Sequence, residues 1–362
     1  MNKKPTKSNH PKSNHLGDFI ALIKNDRKRF ALIGIIISAL GIGFLFASGL
    51  TPTSKMTAQK FVALQEGSAP HEGFRRAHAK GICITGEFVS SGLLAQYSKA
   101  AIFQEGSTPF YGRFSIGGGN PTAPDLKSPV RSLALAFSQN NGRQWRMAMN
   151  TPPVMAVRTP EDFYEQLAAI FPDPETGIRD PQKIVDFFKA HPESAAFVEW
   201  KNNYKPTNSF STEIYNSINA FYLVDAQGAK QAVRWQAVPQ AVPNYNIAPD
   251  APSDALQKDM AELLSKGAVK FDLVFQFAAE EDAVADATQP WPDERRKITA
   301  GTIFIQGAQA QKGGICADTN FDPLVLPSGI EPSEDPILRA RSAAYAESYR
   351  RRARETLLGA GQ

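Results

Sequence analysis

"RRAHAKGICITGEF", residues 75–88, places one of the chain's five histidines between an arginine-rich approach and the start of a strand. Arg75 precedes His78 by about one turn, and Gly81 frees the backbone just before the strand begins. Two other histidines, His10 and His15, sit in a polar tail, so imidazoles are unevenly placed and His78 asks for a chemical reason. Strand-like character continues outward to about residue 155. GICITGEFVS, YGRFSIGG, SLALAFSQ and QWRMAMN follow one another, separated by Gly, Pro and Asn clusters. This pattern predicts a mostly antiparallel sheet or barrel.

Helices interrupt that pattern. TPEDFYEQLAAIF (159–171) starts on a Thr cap and a Pro and carries acids in its first turn. Two short helices are expected over 180–200 and a capped one over 253–267, ending on Gly267. Between them lie a hairpin over 218–238, turning at DAQG, and further strands at 268–278 and 297–308. The chain closes with a helix over 335–359, capped by Asp335, with Pro336 in its first turn and Gly359 as its stop. No internal repeat is visible. GGGNP (117–121) precedes no helix and so is no phosphate loop.

The net charge of +4 is misleading taken alone. Residues 1–30 carry eight Lys/Arg and two Asp, a balance of +6, which leaves residues 31–362 at −2. A mildly acidic body with a basic tail excludes a nucleic-acid partner. The tail is explained by ALIGIIISALGIGFLFASGL (31–50), an uncharged run of twenty residues, about the length that spans a bilayer core. Basic residues abut its N-terminal side, so positive-inside bias puts the tail in the cytoplasm and the body beyond an inner membrane. The expected organisation is a cytoplasmic tail (1–30), a single-pass signal-anchor (31–50), a linker with a short amphipathic helix (51–70) and a body (71–362). A cleaved signal peptide releasing a soluble periplasmic body is the alternative, since FASG offers a small-residue site. Cys83 and Cys316 would form one disulfide there or stay as two core thiols; the sequence does not choose.

On the last helix Arg341 and Tyr345 are four apart, and Ser348 and Arg352 continue the same stripe. A tyrosine titrates near 10 in water, so an adjacent guanidinium favours its phenolate, a hard oxygen suited to ferric iron. RRAHAKG (75–81), GRFS (112–115), MNTPPV (149–154), ATQPWP (287–292) and RSAAY (341–345) occur in one order. That order resembles the haem catalases across roughly residues 70–352, and in particular their short catalase-related peroxidase branch.

The resemblance implies an α+β fold: a catalase-like antiparallel β-barrel with inserted helices and a C-terminal haem-ligand helix, here preceded by one N-terminal transmembrane helix. It implies b-type haem with ferric iron on Tyr345 and Arg341 as that ligand's charge partner. His78 becomes the acid–base catalyst, oriented by Ser115, while Arg75, Arg113 and Arg352 clasp the propionates. Strict alignment puts Met149 where the family has its catalytic asparagine and leaves Asn150 one residue late, on the opposite strand face. Gly117 stands where the family has a bulky valine, which is expected to widen access. These departures point to a peroxidase acting on organic hydroperoxides or hydrogen peroxide, with weak catalase activity and an external electron donor. A true catalase, a fatty-acid hydroperoxide isomerase and a non-catalytic haem carrier are the other readings. Beyond peroxide, donor and bilayer, association of like chains is the remaining partner to test. Haem iron is the only metal expected.

Overall fold

The computed structural model of the chain describes residues 27–47, 56–67, 70–138, 144–173, 176–248 and 250–359. The basic tail over 1–26, with His10 and His15, and the end of the apolar run at 48–50 lie outside the described residues. Two units are distinguished, Met1–Lys55 and Met56–Gln362. The described part of the first is a helix, α1 (Arg27–Ala47), whose side chains over 31–41 are all exposed. That stretch rises about 16 Å, half a bilayer core. No helix among the described residues is long and apolar enough to cross a membrane.

In the second unit alternation of apolar and polar residues builds the strands β1 (Gly81–Ser90), β2 (Gly106–Ile116), β3 (Arg131–Ser138) and β4 (Gln144–Asn150). After them come β5 (Tyr215–Asn216), β6 (Phe221–Val224), β7 (Lys230–Pro239), β8 (Val269–Phe277), β9 (Lys297–Ala310) and β10 (Ile330–Pro332). Every pairing is antiparallel. β1 to β5 follow in order, β5 pairs with β7, β7 with β8, β8 with β9, and β9 returns to β1, so eight strands close a barrel. β6 and β10 extend from β7. Closure removes the exposed edges of an open sheet. Rings such as Phe88, Phe103, Phe114, Trp145, Phe271 and Phe275 fill the interior at 0% exposure.

Seven helices are described: α1, then α2 (Ala58–Glu66), α3 (Pro160–Ile170), α4 (Pro181–Ala190), α5 (Ala195–Asn203), α6 (Ala255–Lys266) and α7 (Pro336–Leu357). The caps expected at Thr159 and Asp335 are formed, with one more at Asp180, whereas the helix expected to be capped over 253–267 begins at Asp254 with no side-chain cap bond. Thr159 accepts from the amide of Asp162, Asp180 from that of Gln182, and Asp335 from that of Ile337. The expected linker over 51–70 needs correction, because the body begins at Met56 and α2 is part of it. Glu66 pairs with Arg76 (2.8 Å) and with Arg351 of α7, and Phe61 packs on Phe163 with ring centroids 5.3 Å apart.

Candidate active site

Register across β1 to β4 decides which side chains share a face. Gly81, Ser115, Ser132 and Asn150 form one rung of directly opposed residues; Cys83, Arg113, Ala134 and Ala148 form another. The rung between them, Ile82, Phe114, Leu133 and Met149, belongs to the barrel core. With a period of two, the first pair of rungs must face outward. There they meet α7 across a cavity of about 360 Å³. Arg75, His78, Arg113, Ser115, Asn150, Arg341, Tyr345 and Arg352 all border it, so every residue singled out in the sequence for chemistry is gathered in one place.

His78 holds a left-handed backbone, with φ at +55°, unusual for any residue but glycine. Its carbonyl is pinned by Arg113 Nη2 at 2.6 Å, and the neighbouring Ala79 amide donates to the Gly118 carbonyl at 2.9 Å. Gly81 permits this approach: a Cβ there would lie 2.2 Å from the Phe114 carbonyl oxygen and 2.7 Å from Arg113 Nη2.

The imidazole's partner is Ser132, whose Oγ lies 3.1 Å from Nδ1. Ser115, expected in that role, borders the cavity on the neighbouring strand, directly opposite Ser132. Ser132 Oγ in turn donates to Asn150 Oδ1. A hydroxyl has one proton to give, so His78 Nδ1 carries its own proton toward Ser132, and Nε2 is left as the basic nitrogen. Burial, and then the guanidinium groups of Arg113 and Arg341, hold the imidazole down to about 4, although the Ile116 backbone acts in the opposite sense. His78 is therefore neutral and basic near pH 7.

Asn150, one residue late in alignment, is the side chain on the cavity face, while Met149 is fully buried among core residues although it also borders the cavity. Gly117 does not line the cavity, and a Cβ there would meet Val130 at 3.3 Å.

Tyr345 rises from α7 into a small apolar cluster with Cys83, Ala136, Cys316 and Phe321, where the two cysteines form a disulfide. Arg341 Nη2 donates to the Ala148 carbonyl at 2.8 Å and its Nη1 to Asn219, which fastens α7 to β4. Arg75 donates from Nη2 to three carbonyls, of Cys316 (2.9 Å), Ala317 (3.2 Å) and Thr319 (2.9 Å). Arg113 Nε donates to Gln311 Oε1 at 2.7 Å. Arg352 is buried, and its Nη2 has no hydrogen-bond partner. None of these three arginines forms an ion pair with a described carboxylate, whereas Arg131 and Arg76 do. Burial first, then mutual repulsion, lowers Arg75 strongly and Arg113 to about 9; burial lowers Arg352 as well. A cluster of desolvated cations around a cavity is completed by an anion.

Comparison with known proteins decides the family. The catalase family model matches residues 70–357. The chain belongs to the catalase family. It is 35% identical over 340 residues to a catalase-related peroxidase of Synechococcus elongatus, covering 92% of this chain and 98% of that one. A catalase-related peroxidase of Mycolicibacterium paratuberculosis is 30% identical over 84% of this chain and 96% of its own. The catalase of Pseudomonas aeruginosa matches at 30% identity, with only 56% of its length covered. Among solved structures, catalase A from Saccharomyces cerevisiae superposes with a TM-score of 0.71 at 21% identity, over 77% of this chain and 61% of that one.

The resemblance to the catalase-related branch holds, and this family member is an oxidoreductase acting on peroxide. Catalase-family proteins use haem, and the residues present fit it. The cavity offers a phenol, an orphaned guanidinium nitrogen on Arg352, two further arginines without carboxylate partners, and apolar walls. Another group of metal-ligand side chains among the described residues, Asp162, His191 and Glu193, borders no part of the cavity. His191 is already engaged there, bonded to Glu193 at 3.0 Å and stacked on Phe187.

Ser132 and the carbonyls of 316–319 are the functional contacts that sequence reasoning missed. SLALAFSQ reads only as a strand, and which residue opposes which is not written in any single strand. The signal available was parity alone, since Ser132 shares a face with Ala134.

Proposed function

We infer that the chain is a haem peroxidase that reduces organic hydroperoxides as well as hydrogen peroxide, with an external donor returning two electrons. The observation that carries this reading is the hydrogen-bonded series His78–Ser132–Asn150 sharing one cavity with Tyr345 and three arginines without carboxylates. Tyr345 would hold the iron of a b-type haem, and Arg75, Arg113 and Arg352 its propionates; paired guanidinium donors match carboxylates well. Bound haem supplies the redox chemistry that splits the O–O bond. His78 supplies the proton transfers: the neutral imidazole takes the proton of one peroxide oxygen at Nε2 and returns it to the other. Ser132 keeps the proton on Nδ1 and so keeps Nε2 in the accepting form.

Support for bulky peroxides comes from the apolar walls, including Met56, Phe61, Met155 and Phe163. A faster reaction with cumene hydroperoxide than with hydrogen peroxide, with donor oxidation and little oxygen release, is expected from the haem-loaded protein. Equal or slower reaction with cumene hydroperoxide contradicts it. A second reading, true dismutation of hydrogen peroxide, is favoured by Asn150: with Oδ1 taken by Ser132, its amide group remains a donor for a second peroxide. Oxygen evolution as the dominant product would establish that reading.

We also infer that the body is exported and anchored in the inner membrane by residues 31–50. The uncharged run, its basic flank, the exposed apolar side chains of α1 and the disulfide support this. Release of the protein from membranes by alkaline carbonate, or a mature N-terminus beyond residue 50, would rule out the anchor.

A further inference from the structure

We propose that the Cys83–Cys316 disulfide is a positioning device for the arginine clamp: it pins segment 311–320, whose carbonyls and Gln311 side chain aim Arg75 and Arg113 into the cavity. Cys83 lies on the outward face of β1 directly opposite Arg113, and its sulfur is bonded to Cys316. The Cys316 amide donates to Cys83 Sγ at 3.2 Å, while the Cys316 carbonyl accepts from Arg75 at 2.9 Å, so one residue joins the sulfur bridge to the clamp. Gln311, at the other end of the segment, accepts from Arg113 Nε at 2.7 Å and donates to the Ala79 carbonyl at 3.1 Å. Besides these, the segment makes turn bonds to itself, Gly314 to Gln311, Ala317 to Gly314 and Thr319 to Cys316, and at its far end the Asn320 carbonyl accepts from Arg146 Nη1. Gly314 gives the bridge room, since a Cβ there would lie 2.7 Å from Cys83 Sγ.

The choice of acceptors has a consequence. A carboxylate would fix Arg75 and cancel its charge; three carbonyls fix it and leave the charge for an anion. Carbonyls do this only while their backbone is held still, and this segment has no regular secondary structure of its own. Both cysteines are at 0% exposure, enclosed with Phe321 and Tyr345, so the bridge is a permanent fixture and not a surface thiol switch. The inference rests on the reading that Arg75 and Arg113 hold haem propionates.

The test compares the full-length chain with its Cys83→Ala/Cys316→Ala variant, and with wild type produced under reducing conditions in which both thiols titrate. In haem-free protein, amide hydrogen exchange over 311–320 should accelerate roughly ten-fold or more while β1 to β4 keep their protection. In haem-loaded protein, haem transfer to a haem-accepting apoprotein should accelerate about ten-fold, the scale of one charge-assisted hydrogen bond. In an Arg75→Ala background, which itself loses haem faster, breaking the bridge should add little. Unchanged exchange over 311–320 overturns the proposal whatever haem does. So does exchange that rises evenly through the barrel, or an effect on haem loss that simply adds to that of Arg75→Ala, because both describe a general staple. If Arg75→Ala alone leaves haem loss unaltered, the clamp reading fails instead, and the positioning claim falls with it.

Discussion

At the scale of the residue, the site is an argument about which atom holds which proton. His78 is surrounded by guanidinium groups and shielded from water, both of which disfavour the imidazolium. Its ordinary value near 6.5 falls to about 4, so the basic form persists through the mildly acid range. The reaction of the haem-loaded protein with peroxide should therefore stay level from about pH 8 to about pH 5 and decline only as the pH approaches the lowered value. Stopped-flow rates across that range test this, and an acid limb centred near 6.5 would contradict it. Folding responds in the same direction. A lowered histidine loses stability for the fold as pH falls from the unfolded value toward the folded one, because only the unfolded chain takes the proton. His78→Ala should lower the rate by about 10²–10⁴-fold without altering the far-UV spectrum. Asn150 and Met149 then separate by face. Asn150→Ala should reduce whatever oxygen evolution the protein has and perturb the pH profile through Ser132, whereas Met149→Leu, a core exchange of similar volume, should cost less than about 1.5 kcal/mol and leave the pH profile alone. Oxygen evolution and thermal melts of the two variants distinguish these outcomes.

Elements carry the next level of the design. The helix α7 was legible from its cap, its proline and its stripe, because a helix brings residues four and seven apart together with no help from the rest of the chain. Strand pairing was not legible, because β1 to β4 acquire their shared rungs only by closing against one another, which is why Ser132 went unseen and Asn150 was expected on the wrong face. The segment 311–320 was illegible for a different reason: it acts through backbone carbonyls, and QKGGICADTN carries no side-chain sign of them. α7 also pays for function in stability. Arg352 sits buried with an orphaned nitrogen beside two other cations, and a methionine of similar reach would remove a desolvated charge. Arg352→Met should raise the melting temperature of the haem-free protein, by the equivalent of about 1 kcal/mol or more, and accelerate haem loss from the loaded protein. Calorimetry of the apoprotein and haem transfer from the holoprotein measure the two signs; a variant that melts lower and keeps haem equally well would refute the account.

For the whole molecule, the question is where the catalytic body begins. Composition suggested residue 71, because the stretch before it reads as a tether, and a nine-residue helix of mixed character shows no partner in its own sequence. Tertiary packing supplies one. Val62 on α2 is at 0% exposure, Phe61 packs against Phe163, Glu66 is shared between Arg76 and Arg351, and Met56, Phe61 and Gln65 border the cavity. Burying Val62 is worth about 1.5–3 kcal/mol, half-buried Phe61 adds a smaller share, and deleting α2 strips these contacts from its neighbours and leaves Arg76, itself buried, with one acid fewer. A chain starting at Met56 should therefore melt within a few degrees of full length and retain haem, since the division between units falls at Lys55. One starting at residue 71 should melt lower by roughly 5–10 °C and lose haem faster, because the cavity loses part of its wall. Melting curves and haem transfer on the two truncations decide the boundary. Should both behave as full length, α2 is a passenger, and the apolar selectivity ascribed to Phe61 and Met56 must be sought elsewhere in the cavity.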